Sequence, residues 1–281
     1  MLKNDLHELT LFFDLEWVPD AAGAVRLFDL SPETTELEGM ERLWQDAKDY
    51  DADTNPRPFV KYLYSRVVSI AFLSRRTVFR DGNRHIEFGL HSLPKLPIEE
   101  DRSNEAEIIE RFLYMIGERG PQLVGFNSLE SDLQVLIQRG LVNEVRAEKF
   151  SVRPNKPWEG RDYFDRYGEA HLDLSKLLSS GAMKPTLNAL TRLCGFPGKI
   201  DVDGRQVADL WLDGRLKEIV EYNQIDALNT YLLWLRVVNF TGLLSEEQYV
   251  VEQEQFREFL SVQADTPEGA HINKFLDLWE P

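Results

Sequence analysis

The hydrophobic period changes along the chain. Over residues 9–18, LTLFFDLEWV, polar and apolar positions alternate and then run apolar, the pattern of a buried strand. Residues 32–50 place apolar side chains at helical spacing on a polar background and predict an amphipathic helix. Residues 51–58, DADTNPRP, predict a loop. Residues 67–73 and 77–80 return to a strand pattern, and the Asp81-Gly82-Asn83 turn leads into another strand over 86–91. With 9–18, these predict an antiparallel half-sheet. From residue 103 the pattern turns helical: 103–118 is a helix with Ser or Asn available to cap it. Residues 122–126 form a short buried strand, and another helix starts near Ser128. Residues 145–170 predict an irregular loop rich in aromatic and basic side chains. Helices follow over 185–194, 206–212, 216–238, 245–260 and 271–279. Strands first, then strand and helix alternating, predict an α/β fold: a mixed sheet flanked by helices. The expected division is a main domain over 1–240 and a helical C-terminal extension over 241–281 packed on it.

Composition narrows the function classes. A chain of 281 residues suits one elaborated α/β enzyme. No stretch approaches the apolar length of a membrane span, and the start MLKNDLHEL has no signal-peptide core, so the cytoplasm is the expected location and no membrane partner is expected. Cys194 is the only cysteine, which excludes a disulfide framework and a cysteine-based zinc site. A formal net charge of −16 argues against coating nucleic acid by bulk electrostatics. It leaves room for an enzyme that grips one strand end through metals and a local basic surface. The acidic patches Glu36, Glu38, Glu41 and Glu246, Glu247, Glu252, Glu254 read as solvated surfaces.

Four acids stand among apolar neighbours, where an ionised carboxylate is costly without a cation. Asp14 and Glu16 are two apart, so on a strand they share a face, opposite Phe13, Leu15 and Trp17. Such a pair chelates a hard cation or simply meets solvent at a strand end. Asp132 lies on the Leu129 and Leu136 side of its helix. Asn127, just before, either caps that helix or contacts substrate. Tyr222 and Asp226 are four apart and stack on one helical face. A tyrosine hydroxyl beside a metal-bound carboxylate positions a water; without a metal it is a core tyrosine bonded to an acid.

The order of these motifs carries more than any one of them. The Asp-x-Glu strand, the Asn-x4-Asp junction and the Tyr-x3-Asp helix resemble the three exonuclease motifs of the DEDD superfamily. The position five before Asp226 is Glu221 and not His, which indicates the tyrosine subtype. The chain more closely resembles the predicted 3′–5′ exonucleases related to the proofreading domain of family B DNA polymerases. FFDLEWVPD is similar to the first motif and LVGFNSLESDLQVL to the second. HLDLSKLL, TLNALTRLCGFPGKIDVDGRQVADLW and EIVEYNQIDALNTYLLWLR are similar to later blocks in order and spacing, with a weaker echo in HINKFLDLW. The likeness runs from about residue 9 to about residue 238.

The resemblance implies a ribonuclease H-like fold and removal of nucleotides from a single-stranded 3′ end, DNA or RNA. It implies two Mg²⁺ or Mn²⁺ ions on Asp14, Glu16, Asp132 and Asp226, with Tyr222 orienting the attacking water. It implies substrate contacts at Leu15, Trp17 and Asn127; Lys199, in GFPGK, either meets a phosphate or sits in a turn that the glycines form. Trp17 and the FNSLESD segment depart from the usual motifs where the terminal nucleotide would lie. The competing expectation is a catalytically silent nucleic-acid-binding or scaffold protein of the same fold. His171 reads as a structural histidine. The loop residues Trp158, Tyr163, Phe164 and Tyr167, interleaved with Arg153, Lys156, Arg161 and Arg166, suit either a single-strand contact or a packed surface loop.

Overall fold

A computed structural model describes residues 2, 5–98, 104–156, 158–165, 168–179, 183–200 and 204–279. A five-stranded sheet has the order β3-β2-β1-β4-β5. Strands β1 (Leu9–Pro19), β2 (Ser65–Arg80) and β3 (Asn83–Leu93) are antiparallel neighbours. Strands β4 (Gln122–Gly125) and β5 (His171–Asp173) continue the sheet in parallel with β1. The expected antiparallel half-sheet is therefore present, joined to a short parallel half. The mixed α/β sheet has the strand order of a ribonuclease H-like fold.

Helices α1 (Ala21–Leu27) and α2 (Glu36–Asp46) follow β1. Helix α3 (Glu105–Arg119) precedes β4; α4 (Asp132–Val142) and the single turn α5 (Glu148–Ser151) follow it. After β5 come α6 (Leu174–Leu177), α7 (Leu187–Leu193), α8 (Val207–Leu212), α9 (Leu216–Phe240), α10 (Glu246–Ala264) and α11 (Ala270–Leu278). None is long and apolar enough to cross a membrane, among the described residues.

The two faces of β1 feed different cores. Leu11, Phe13 and Leu15 pack with Ile109, Phe112 of α3 and Leu133, Leu136 of α4. Phe12 faces the other way, with ring centroids 5.1 Å from both Tyr231 and Trp234 of α9. Helix α9 is buried over most of its length, polar residues such as Asn223, Asp226 and Asn229 included. Phe256 and Leu260 of α10, and Phe275 of α11, join the same cluster as Phe12 and α9.

Several elements differ from the sequence reading. Residues 65–80 form one strand and not two, because Arg75 points into the core instead of breaking the pattern. Its guanidinium is bonded to Glu252 of α10 at 2.6 and 2.9 Å, with both side chains 0% exposed. Glu252 is thus no surface acid. Arg84 and the Tyr231 hydroxyl also donate to it, and these contacts hold its carboxyl below the usual range despite burial. Helix α1 was not expected; the Asp20 side chain caps it by accepting from Gly23 N. The helix expected over 32–50 is trimmed to α2 by a Thr35–Glu38 capping box. The three-residue β5 and the one-turn α6 are too short to read from period. The helix expected near Ser128 begins at Asp132, because residues 128–131 form a turn. Ser103, Arg166 and Tyr167 lie outside the described residues.

Candidate metal centre and its surroundings

Strand and helix pitch bring the acids together. Phe12 meets Tyr231, and two residues along β1 stands Asp14, about 7 Å further on. Asp226 stands five residues before Tyr231, also about 7 Å along the helix. Carboxylate oxygens of Asp14, Glu16 and Asp226 all lie within 4.8 Å of one another. Asp14 and Glu16 keep partial exposure, whereas Asp226 is buried. Opposite them on β2 are the small residues Ala71 and Ser69, and a bulge follows Glu16. That bulge breaks the register between Glu16 and Trp17 at the end of the acid pair.

Asp132 is held differently. It is the first residue of α4, where the helix dipole favours a negative charge. Its Oδ1 accepts from Leu15 N at 3.1 Å and its Oδ2 from Ser131 Oγ at 2.5 Å. So the cluster within 4.8 Å comprises three of the four sequence-predicted acids, and Asp132 is tied to the strand segment between Asp14 and Glu16. It still bears on them: the Asp14 carboxyl is pushed well above the usual range by burial, then by repulsion from Asp132, Asp226 and Glu16. Burial lifts Asp132 to about 6, against the hydrogen bonds that lower it.

One cation answers this charge. Lys199 Nζ lies 3.8 Å from Asp226 Oδ2 and donates to the Tyr222 hydroxyl at 2.5 Å. The turn that carries it is pinned by asparagines. Asn188 Oδ1 accepts from Lys199 N, while Asn229 accepts from Gly198 N and donates to Gly198 O. Gly198 has φ +68°, and a Cβ there would meet Asn188 Oδ1 at 2.5 Å, so the position requires glycine. Tyr222 is 4% exposed. Burial and then Asp226, Glu16 and Asp14 hold its hydroxyl protonated far beyond the ordinary tyrosine range.

The remaining expectations sort as follows. Leu15 is buried among α3 and α4, so its side chain points away from the acids. Trp17 is partly buried against the Tyr62 ring. Asn127 has φ +63° and does not cap α4 with its side chain; its Oδ1 accepts from Lys184 Nζ at 3.4 Å. The 127–131 turn is instead anchored from β5. Asp173 accepts from Asn127 N and Leu129 N, and His171 Nε2 is 2.8 Å from Ser128 Oγ. His171 is structural as expected, and burial lowers it to about 4, so it stays neutral.

Sequence reasoning missed Asn223, whose Nδ2 donates to Ser69 Oγ and ties α9 to β2 beside Tyr222. The available signal was an amide side chain next to Tyr222 and three residues before Asp226. It also missed Lys184 and Lys176, both paired with Glu130 next to Asn127.

The aromatic and basic loop lies elsewhere. Arg161 donates to Gly120 O and contacts His7, and Tyr163 donates to Pro121 O. These partners precede β4 and β1, at the opposite end of the strands from Asp14 and Glu16. Tyr163 and Phe164 pack on Phe150, Arg153 pairs with Asp162, and Lys156 lies 3.9 Å from Glu159. The packed-loop alternative is the one that fits. Replacing Arg153 and Lys156 by Ala is expected to leave the salt dependence of oligonucleotide binding unchanged. A flattening by roughly 0.7 in log–log slope per lost contact would place this loop on the binding surface after all.

A ribonuclease H-like sheet thus carries an acid cluster between its central strand and a crossing helix. The chain belongs to the family described as predicted 3′–5′ exonuclease related to the exonuclease domain of PolB, which it matches over residues 57–279. Asp132, Tyr222 and Asp226 fall inside that stretch; Asp14 and Glu16 precede it, and geometry alone joins them to the others. No curated protein gives a match.

Proposed function

We propose that the chain is a metal-dependent 3′–5′ exonuclease that removes nucleotides from a single-stranded 3′ end. The observation that carries this is the convergence of Asp14, Glu16 and Asp226 within 4.8 Å, with Asp132 held beside them. The donor set fits hard divalent cations such as Mg²⁺ or Mn²⁺: it is all oxygen, and its carboxylates repel one another. Asp14, Glu16 and Asp226 would hold them, with Asp132 beside them on Leu15 N. When bound, two such ions supply Lewis-acid stabilisation of the phosphodiester oxygens and lower the pKa of an attacking water.

The protein's own groups do the rest. Tyr222, kept neutral, offers a hydroxyl that accepts from Lys199 and is left to orient a water rather than to remove its proton. Lys199 places an ammonium where negative charge on a phosphate would accumulate. Asn223 and the Asn188–Asn229 pair fix the two backbones that carry these groups.

Tyr222→Phe is therefore expected to keep metal affinity and slow the chemical step by about 10²-fold, the cost of a misplaced reactant. Lost metal affinity with an unchanged rate at saturation would refute the orienting role. The reaction class is tested by incubating a single-stranded oligonucleotide, and free mononucleotides in parallel, with Mn²⁺. Release of 5′-mononucleotides from the strand is expected. Action on mononucleotides alone would make the protein a small-molecule phosphoesterase.

A further inference from the structure

A row of aromatic side chains lies on the α4 side of β1, near the acid cluster. Trp17 follows Glu16 directly. Its ring meets Tyr62, in the short 3-10 turn Tyr62–Tyr64, edge-on at 5.9 Å, and Tyr62 meets Phe59 edge-on at 5.3 Å. Phe59 is 65% exposed and Tyr62 partly so, although most large apolar side chains of this chain are buried. The row reaches the site: the Tyr62–Tyr64 turn packs against α4, whose first residue is Asp132. Two cations lie near the row: Lys61 is exposed, with its Nζ 5.5 Å from the Tyr64 ring centroid, and Lys184 pairs with Glu130 and Asn127. An exposed apolar surface near two lysines, in a protein of charge −16, fits a ligand that is flat, apolar on its faces and anionic along its backbone.

We propose that Trp17, Tyr62 and Phe59 form the stacking surface for unpaired bases of a polynucleotide next to its reacting end, with Lys61 and Lys184 meeting the phosphates. This rests on the exonuclease reading for the identity of that end, but not for the binding itself. The stacking is indifferent to base identity, because every base has a π-face. One such stacking contact is worth about 1–3 kcal/mol, or roughly 5- to 150-fold in affinity.

The test measures the dissociation constant of a labelled oligothymidylate by fluorescence anisotropy with Ca²⁺ present. Phe59→Ala and Tyr62→Ala are each expected to weaken binding by roughly tenfold. Tyr62→Phe, which keeps the ring, is expected to restore it. Phe79→Ala is the control: this ring is 72% exposed at the far hairpin, and its loss is expected to leave the constant unchanged. Unchanged binding in both Phe59→Ala and Tyr62→Ala overturns the proposal, as does failure of the unsubstituted chain to bind the strand. Hydrolysis of thymidine 5′-(p-nitrophenyl) phosphate by the unsubstituted chain with Mn²⁺ is read separately. Its absence would count against the hydrolase reading and leave the binding result to decide this one.

Discussion

Asp14→Asn and Asp226→Asn are each expected to abolish Mn²⁺-dependent hydrolysis while the chain still folds. The loss should exceed about 10²-fold, the upper end of what altering a partner outside the ligand sphere costs. The same substitution should have an opposite effect on the metal-free fold. Burial and three neighbouring acids raise the Asp14 carboxyl in the folded state, so there the folded protein binds a proton that the unfolded chain has released. Stability therefore falls as pH rises from the unfolded carboxylate value toward the raised folded one. Asp14→Asn removes that penalty. Without metal it should melt higher than the unsubstituted chain at neutral pH, and the gap should close toward acid pH. Added Mn²⁺ should raise the melting temperature of the unsubstituted chain and not that of the variant. Near-normal turnover of metal-saturated Asp14→Asn would remove Asp14 from the metal centre.

Glu252→Ala is expected to cost about 3–5 kcal/mol of stability, the range for stripping one partner from a buried ion pair. Arg75 would be left 0% exposed with no carboxylate, and Arg84 and Tyr231 would each lose an acceptor. Helix α10 would then lose its polar tie to β2. For a chain of this size that corresponds to a fall in melting temperature of roughly 6–20 °C. The sign of its pH dependence follows from the lowered Glu252 pKa: the contribution is present above the unfolded glutamate value and is lost as pH falls through the folded one. Urea unfolding of both chains at neutral and acid pH measures each effect. A change under about 1 kcal/mol would mean the pair is easily replaced by solvent.

Local pattern made some of the site legible and long-range pairing hid the rest. The two-residue spacing of Asp14 and Glu16, and the four-residue spacing of Tyr222 and Asp226, each specify a shared face once the element is known. Both elements were strongly patterned, so these faces were readable. That the two faces meet was not; it depends on Phe12 packing against Tyr231 and Trp234. Asp132 could be read as an acid near a strand–helix junction, but not as an acceptor for Leu15 N. The turn before it owes its shape to Asp173, 46 residues from Asn127. Arg75 and Glu252 misled for the same reason. Each looks like a surface charge until its partner, 177 residues away, is in place. The loop over 145–170 had the right composition for nucleic acid, but composition does not say at which end of a sheet a loop packs. Tyr62 and Phe59 lie between the loop predicted over 51–58 and the strand predicted over 67–73, in a stretch whose pattern signalled no element.

The central claim is that the Asp14, Glu16 and Asp226 cluster uses divalent metal to shorten a strand from its 3′ end. The most direct test follows a 5′-labelled single-stranded oligonucleotide over time with Mn²⁺, for the unsubstituted chain and for Asp226→Asn. A ladder that descends one nucleotide at a time, absent with chelator and absent in Asp226→Asn, is the predicted result. An intact strand under every metal condition, or a ladder that Asp226→Asn produces equally well, would contradict it.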